Sequence, residues 1–344
     1  MVDFISIKNF KTIEDLRLDC KRVNVIIGAP NSGKTNVLEA LSLLSRRGVA
    51  AIRDMVRIEN AANLFPNNDL THKIEISAND IFVTLFFDGK NISVDFSDVT
   101  DSDSGDKSGS RYSIEMDEPS APGPNSSPEK WEEVKINKTP FRFYRYTNKN
   151  NLSSITRDHL VPPFGSNLAQ LLYNYKELRK SVSHIFADSG YKLVIIPNEN
   201  RLMISKEDDD NLILLPYKTL SDTYKRLIFY KCILEQSKGA AILLDEPEAF
   251  MFPGNVKYLA ERIGGNEGNQ FFIVTHNPYM LTNLIEKTNK DDLTVSIAYQ
   301  KDGKTKLKTL KGEQIVELVS FGEDAFFNLG RYYDDEYISR MFPG

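Results

Sequence analysis

The 344-residue chain carries a formal net charge of −5 and 41% hydrophobic residues, which is enough apolar content for one large domain or two modest ones. The acidic balance argues against affinity for nucleic acid or membranes over the whole surface, so any such contact has to be a local patch. Only two cysteines occur, no apolar run approaches the length of a membrane span, and the N-terminus has no signal-peptide core. These features predict a cytoplasmic protein that has no disulfide framework and makes no membrane contact.

The first predicted elements form a strand–loop–helix unit. Strands are expected at Phe4–Ile7 and around Leu16–Leu18, and a short buried strand follows at Val23–Ile27. The next eight residues, Gly28–Thr35, match G-x-x-x-x-G-K-[ST], and apolar residues recur at helical spacing from Val37 to Leu44. A glycine loop between a strand and a helix N-terminus predicts a polyphosphate site.

Each part of this loop has an expected role. The backbone N–H groups cradle phosphate oxygens, Lys34 reaches the β- and γ-phosphates, and the Thr35 hydroxyl binds Mg²⁺. The predicted ligand is therefore a polyphosphate with Mg²⁺. The residues predicted to bind the nucleotide from this segment are Gly28, Ala29, Pro30, Asn31, Ser32, Gly33, Lys34, Thr35 and Asn36.

The middle of the chain predicts a different architecture. Strands are expected near Ile74–Ile76, Ile81–Phe87 and Ile92–Phe96, and the Asp88-Gly89 pair between the last two indicates a hairpin, so this part is an antiparallel β layer. Residues 98–133 are rich in Ser, Asp, Gly and Pro and are predicted to be an acidic flexible loop.

Further elements are expected after this loop. One helix is predicted over Leu168–Phe186 and a hairpin over Lys192–Ser205, and the chain from Gly312 is expected to be a helical, aromatic-rich cap.

Two later strands end in polar side chains. The apolar run Ala240–Leu244 is followed by Asp245 and Glu246, which predicts a buried parallel strand with carboxylates at its C-terminal tip. Asp245 is expected to hold Mg²⁺, and Glu246 to polarise the attacking water. The run Phe271–Val274 leads in the same way to Thr275 and His276, and His276 is expected to sense the γ-phosphate.

The order of these motifs resembles that of ABC-type ATPases, and most closely the SMC/RecF-like branch, including the ATPase part of OLD-family proteins. The resemblance rests on the start Ile5–Lys11, the phosphate loop, Asp245–Glu248 and Thr275–Tyr279, and it spans most of the chain. It implies a P-loop NTPase of the α/β class, an ABC-type head with an antiparallel β layer and a smaller α/β insertion.

The resemblance also implies an ATP-dependent homodimer in which Ser221 of one subunit closes on the γ-phosphate held by the other. Two departures concern this arrangement. Thr223 stands where the signature Leu-Ser-x-x usually has a glycine, and its Cβ is expected to restrict close approach. No glutamine lies between Asn36 and Ala169 to serve as the Q-loop residue, and Asn63 or Asn67 is the substitute that we considered.

Two segments have alternative interpretations. Phe141–Tyr146 interleaves aromatic and basic residues, which fits either an amphipathic strand with its aromatics inward or a nucleic-acid contact; we favour the strand. The lysines that alternate over Lys304–Lys311 fit either protection of a sheet edge or contact with a phosphate backbone, and we favour edge protection.

The motifs predict four regions: an N-terminal ATPase lobe at 1–97, the acidic loop at 98–133, an insertion or arm at 134–216, and a C-terminal ATPase lobe at 217–344. The expected function is an ATP-hydrolysing clamp in DNA maintenance or defence, with DNA and a separate nuclease or effector as partners. The alternatives are the ATPase subunit of a membrane transporter and a regulatory protein that binds ATP without hydrolysing it.

Overall fold

The computed structural model describes residues 1–45, 49–98, 110–115, 139–148, 155–187, 189–208 and 211–334. Three β-sheets organise these residues. Their buried side chains form two large apolar clusters. The strand that leads into the phosphate loop contributes to both clusters, Val25 to one and Ile26 to the other. No helix among the described residues is long and apolar enough to cross a membrane.

The first sheet is antiparallel and has the strand order β2-β1-β4-β5-β6-β7. Its strands are β1 (Phe4–Phe10), β2 (Ile13–Asp19), β4 (Ile74–Ala78), β5 (Ile81–Phe87), β6 (Asn91–Asp98) and β7 (Ser110–Glu115). The predicted antiparallel layer and its β5–β6 hairpin are therefore observed. Strand β7 lies inside the segment expected to be a loop, so that expectation is wrong at residues 110–115; residues 99–109 and 116–133 lie outside the described part.

The second sheet carries the candidate site. Its order is β15-β14-β3-β13-β12-β8, with only β15 antiparallel to its neighbour. Its strands are β3 (Val23–Gly28), β8 (Phe141–Tyr144), β12 (Ala241–Asp245), β13 (Gln270–Val274), β14 (Leu293–Lys301) and β15 (Lys304–Thr309). Strands β3, β12 and β13 are nearly continuous apolar runs because both faces are covered. Because these three strands run parallel, their C-terminal ends meet at one edge of the sheet.

The third sheet is a small antiparallel one with the order β11-β10-β9. It contains β9 (Tyr191–Ile196), β10 (Arg201–Asp208) and β11 (Asn211–Pro216). The hairpin of β9 and β10 was expected, whereas β11 was not. Leu202 and Ile204 on β10 are buried, so one face of this sheet packs against the core.

The helices cover the two larger sheets and connect their strands. They are α1 (Lys34–Leu43), α2 (Val49–Met55), α3 (Leu168–Asn174), α4 (Lys176–Ser183), α5 (Asp222–Gln236), α6 (Pro253–Gly264), α7 (Pro278–Lys287) and α8 (Gly312–Ser320). Short 3₁₀ turns lie at 61–64, 66–68, 184–186, 197–199, 217–219, 290–292 and 322–332.

The single helix expected over Leu168–Phe186 is wrong, because it breaks at Tyr175. Tyr175 has extended backbone angles, and the Arg179 guanidinium donates to the carbonyl oxygens of Leu172 and Tyr173. Those carbonyls would otherwise lack a partner at the end of α3. This local compensation stabilises a corner that apolar periodicity alone does not reveal.

Phe141, Phe143 and Tyr144 are all buried on β8, so the amphipathic-strand interpretation of this segment holds for its aromatic residues. At the opposite edge of the same sheet, β15 carries the alternating lysines on an edge strand, as expected.

Candidate functional site

The phosphate loop connects β3 to α1 and is shaped by two glycines. Gly28 and Gly33 have φ values of 152° and 89°. A Cβ added at Gly33 would lie 1.9 Å from Thr305 Oγ1, and one at Gly28 would lie 2.2 Å from the carbonyl oxygen of Ala298. Both positions therefore require glycine for space as well as for backbone conformation.

Two threonines from other elements hold this loop in place. The Thr305 hydroxyl on β15 donates to the carbonyl oxygen of Ser32 at 3.2 Å and lies 2.7 Å from the Thr12 hydroxyl. Thr12, in the turn between β1 and β2, in turn accepts from the Asn36 amide at 2.8 Å. The loop is thus fastened to both larger sheets, a feature that the sequence motif did not reveal.

Lys34 is nearly buried and points into the loop. Its ammonium donates to the carbonyl oxygens of Gly28 and Ala29, each at 2.8 Å, and an ammonium has three N–H groups, so one is left for a phosphate oxygen. Burial lowers the pKa of Lys34, while the carboxylates of Glu246 and Asp245 oppose that shift. A bound polyphosphate would add negative charge and favour the protonated form further.

Ser32 supplies a second indication that the loop fits a polar ligand. Its hydroxyl oxygen is buried and has no hydrogen-bond partner among the described residues. A buried hydroxyl without a partner costs free energy, and such groups in native structures usually meet a ligand or water. The Ser32 hydroxyl is therefore suited to a phosphate oxygen in this loop.

The predicted metal ligands lie next to each other. Thr35, at the start of α1, donates its hydroxyl hydrogen to Asp245 Oδ1 at 3.2 Å, and Asp245 ends β12. Hydroxyl and carboxylate oxygens are ligands that Mg²⁺ prefers, so these residues fit that ion. Within the described ranges there is no cluster of three or more His, Cys, Asp or Glu residues that could hold a metal. Thr35 and Asp245 would supply two of the oxygen ligands of Mg²⁺, and phosphate oxygens and water would complete its coordination shell, as in many nucleotide sites.

An arginine that the motifs did not indicate also faces Asp245. The Arg145 Nη2 atom lies 3.6 Å from Asp245 Oδ2 and 3.9 Å from Glu39 Oε1. Burial raises the pKa of Asp245, and the Arg145 charge is the largest opposing effect. Nη2 itself is buried without a hydrogen-bond partner among the described residues. Arg145 is thus a cation placed beside the predicted metal ligand.

Glu39 anchors the cations that lie near the Asp245 carboxylate. It lies on α1, is fully buried, and accepts from Lys11 Nζ at 2.6 Å and from Arg57 Nε at 2.8 Å. A buried carboxylate is tolerated only when such partners compensate it. Glu39 therefore brings Lys11, Arg57 and Arg145 together near the loop, although these residues are distant in sequence.

Glu246 and His276 form the second part of the predicted site. Glu246 Oε1 lies 3.0 Å from His276 Nδ1, and the two side chains are 41% and 59% exposed. Glu246 also has a left-handed φ of 47°, while its N–H donates to the carbonyl oxygen of Val274 at 2.9 Å. Strained backbone at a non-glycine residue is often found at functional sites. The pair stands at the surface, next to the partly buried Asp245.

Behind this pair, a buried hydrogen bond ties the two strand ends together. The Thr275 hydroxyl donates to Glu248 Oε1, and both residues are almost fully buried. Burial raises the pKa of Glu248 to about 7. Neither residue was singled out as functional from the sequence.

Ser221 does not meet the phosphate loop within one chain. Its hydroxyl caps the N-terminus of α5 by accepting from Tyr224 N, and it lines a cavity of about 530 Å³ that includes Thr223 and Phe252 but no residue of the loop. The Thr223 hydroxyl donates to the carbonyl oxygen of Phe250 at 3.2 Å. The threonine at the signature glycine position therefore links α5 to the segment that follows β12.

The two residues proposed to replace the Q-loop glutamine line a different cavity. Asn63 and Asn67 line a cavity of about 720 Å³ that also includes Asn36 and Thr12. The side-chain oxygen Oδ1 of Asn63 accepts from the backbone N–H groups of Glu59 and Asn60, each at 3.0 Å, so it already stabilises its own turn. Their role as a metal or water ligand stays a prediction.

Comparison with known proteins places this geometry in a family. The model of a family described as "AAA domain, putative AbiEii toxin, Type IV TA system" matches residues 23–282, from β3 to the middle of α7. The chain belongs to this AAA domain family. The matched range contains the phosphate loop, Ser221, the Asp245–Glu246 pair and His276.

Solved structures give the same fold for this AAA domain. It is similar to an SMC head bound to the C-winged helix domain of ScpA, at 15% identity and TM-score 0.52, covering 92% of this chain and 99% of that one. It is similar to the SMC head from Pyrococcus furiosus bound to the C-terminal domain of ScpA, at 14% identity and TM-score 0.53, covering 93% and 98%. No curated protein matches the chain.

The predicted resemblance to ABC-type, SMC-like ATPases and the P-loop NTPase fold are thus confirmed.

Proposed function

We propose that this AAA domain binds ATP with Mg²⁺ and hydrolyses it in a dimer of two copies. The observation that carries the proposal is the contact between the Thr35 hydroxyl and the Asp245 carboxylate beside the buried Lys34 ammonium. Two chain segments that lie 210 positions apart in sequence meet there, as a phosphate loop and its metal-binding strand require.

The binding step follows from charge and from free donors. Lys34 and the backbone N–H groups at the start of α1 attract the β- and γ-phosphates, and Ser32 offers its unpaired hydroxyl. Thr35 and Asp245 would hold Mg²⁺, which when bound neutralises phosphate charge during transfer. Arg145 lies near enough to Asp245 to orient that carboxylate.

The hydrolytic step is assigned to Glu246 and His276. Glu246 would take a proton from the attacking water, and His276, within hydrogen-bond distance of that carboxylate, would hold its position and contact the γ-phosphate. Both side chains are well exposed in one copy, whereas phosphoryl transfer is favoured where water is excluded. A second copy that covers them would complete the site.

Ser221 is proposed to supply that cover from the second copy. It caps α5 and lies at an exposed helix N-terminus, where hydroxyl and N–H groups suit a phosphate. Within one chain it lines a cavity separate from the loop, which is consistent with a role toward another subunit. ATP binding would then provide free energy for dimer closure, and hydrolysis would reverse it.

The cellular role is proposed to be DNA maintenance or defence, with a separate nuclease or effector as partner. The similar SMC heads were solved with a protein partner, ScpA, and the matched family's description includes a toxin–antitoxin system. The net charge of −5 implies that any DNA contact is local.

The first prediction tests turnover. Replacing Glu246 with Gln keeps the size of the side chain and removes the general base, so we expect ATP binding to persist and ATP turnover to fall about 100- to 10,000-fold. Steady-state ATPase assays and calorimetric titration of both proteins measure these effects. A near-normal rate in Glu246→Gln would remove Glu246 from the role of base.

The same preparations separate the cellular proposals. Sedimentation with and without ATP shows whether ATP promotes association beyond that of nucleotide-free protein, and retention of duplex DNA at physiological salt shows whether DNA is held in an ATP-dependent way. Dimers that neither bind DNA nor respond to it would contradict the DNA role while leaving the ATPase proposal intact.

A regulator that binds ATP without hydrolysing it is the second candidate. Thr223 favours it, because a side chain stands where the signature usually has a glycine and is already bonded to Phe250. Wild-type protein that binds ATP but shows no turnover, alone or with DNA, would support this candidate.

A further inference from the structure

Strand β11 is an exposed apolar edge. It lies at the end of the three-stranded sheet, and no other strand pairs with its outer side in the part of the chain that the structure describes. Three consecutive side chains, Leu212, Ile213 and Leu214, are 63%, 40% and 49% exposed. Edge strands of this kind are templates for pairing with another chain, and proteins usually protect them with charges.

The sheet that carries the candidate site protects its edge strand β15 in two ways. Lys304, Lys306 and Lys308 stand at alternating positions, and charged side chains discourage further pairing. The outer side of β15 also contacts β2, and the Thr305 N–H donates to the carbonyl oxygen of Thr12 at 2.8 Å. Strand β11 reads Asn-Leu-Ile-Leu-Leu-Pro and contains no charged residue. The absence of protection on one edge and its presence on the other suggest that β11 is built to be paired.

Pro216 identifies which backbone groups of β11 are free. It lies opposite Met203 in the antiparallel register with β10, and because proline has no N–H, this pair cannot exchange two hydrogen bonds. Hydrogen-bonded and non-bonded pairs alternate, so Ile213 and Leu215 bond to β10, while the N–H and C=O groups of Leu212 and Leu214 point outward.

These free groups are symmetric about Ile213. In an antiparallel pair of two β11 strands with Ile213 on the two-fold axis, Leu212 of each copy lies opposite Leu214 of the other. Each such pair exchanges both of its backbone hydrogen bonds, so none of the free groups of Leu212 and Leu214 is left unpaired. A two-fold axis with the same patch on both subunits is the commonest arrangement in homodimers.

We propose that β11 pairs with β11 of a second copy in the absence of nucleotide. The three-stranded sheets of the two copies then form one continuous sheet. The strand itself carries no charged side chain. On the face of Leu212 and Leu214, Glu207 and Lys192 form an ion pair within one copy. On the other face, Lys206 lies opposite Ile213 on the neighbouring strand, so in a pair of β11 strands the two Lys206 side chains are separated by both copies of Ile213. The contact buries Leu212 and Leu214, which supplies the hydrophobic part of the stabilisation. This surface is separate from the Ser221 contact proposed above.

A disulfide test reads the geometry directly. In the proposed dimer, Ile213 of one copy lies opposite Ile213 of the other in a non-hydrogen-bonded pair. The Cα atoms of such a pair lie about 4.5 Å apart, which is within the range that disulfides span. We expect Ile213→Cys to form a covalent dimer rapidly under mild oxidation, without nucleotide. The matched control is Val316→Cys on α8, which is 62% exposed and is expected to cross-link slowly if at all.

Sedimentation of nucleotide-free protein gives an independent readout. Wild-type protein and Lys34→Ala are both expected to dimerise with rising concentration, whereas Leu214→Lys is expected to stay monomeric and Val316→Lys to behave as wild type. Wild-type protein that stays monomeric without nucleotide, or Ile213→Cys that cross-links no faster than Val316→Cys, would overturn the proposal. Because neither experiment contains ATP, these outcomes are independent of the proposed ATPase.

Discussion

The binding half and the hydrolytic half of the candidate site differ in how far a single chain buries them and holds them by hydrogen bonds. We define the binding half as Lys34, Thr35 and Asp245, and the hydrolytic half as Glu246 and His276. The members of the binding half are buried or partly buried and are held by hydrogen bonds to the loop carbonyls and to each other. The loop around them is fastened to both larger sheets through Thr305 and Thr12. The hydrolytic half is largely exposed and is held by one contact between its two members. Under the proposed function, one copy suffices to bind nucleotide, whereas turnover depends on a second.

Ser221 gives the sharpest test of this division. Removing its hydroxyl in Ser221→Ala is expected to lower turnover and ATP-dependent dimerisation about 10- to 100-fold, the usual value of a hydrogen bond to a charged group. Nucleotide affinity measured at low protein concentration should not change. Ser221→Thr retains the hydroxyl and the helix cap and is the matched control. Loss of affinity in single copies of Ser221→Ala would place this residue in the binding half.

Glu248 tests the support beneath both halves through stability rather than through turnover. Its pKa is raised to about 7 from 4.5 by burial, so the folded protein holds a proton that the unfolded chain releases between these pH values. The free energy of unfolding should therefore fall as pH rises through this window, by roughly 3 kcal/mol in total.

In Glu248→Gln the Thr275 hydrogen bond has an equivalent acceptor, and this pH-dependent loss should disappear. Denaturant unfolding across the pH range measures it. Exposed Glu267, changed to Gln, is the control and should leave stability unchanged. A pH profile for Glu248→Gln that matches wild type would show that Glu248 is not the group responsible.

The signals from which the sequence predicts the binding half are local. The glycine loop, the strand before it and the helix after it are adjacent in sequence, and Asp245 is marked by the apolar run that precedes it. The residues that complete the site are not marked in this way. Thr305 reaches Ser32 across 273 positions, and no motif specifies such a contact.

The errors in the fold have comparable causes. The corner at Tyr175 depends on Arg179 and on the carbonyls it satisfies, whereas apolar spacing continues through it. Strand β11 was missed because its exposed apolar run lacks the alternation of a half-buried strand, and its pairing with β10 defines it only in three dimensions. Arg145 was noted among aromatic residues, yet its position beside Asp245 follows from the parallel pairing of β8 with β12.

The most direct test of the central claim is a calorimetric titration with a non-hydrolysable ATP analogue and Mg²⁺, comparing wild-type protein with Lys34→Ala. Lys34 supplies the charged donor inside the loop, so we expect saturable binding to wild type and no measurable binding to a folded Lys34→Ala variant. Equal affinities in the two proteins, or no binding to wild type, would contradict the assignment of the nucleotide to this loop.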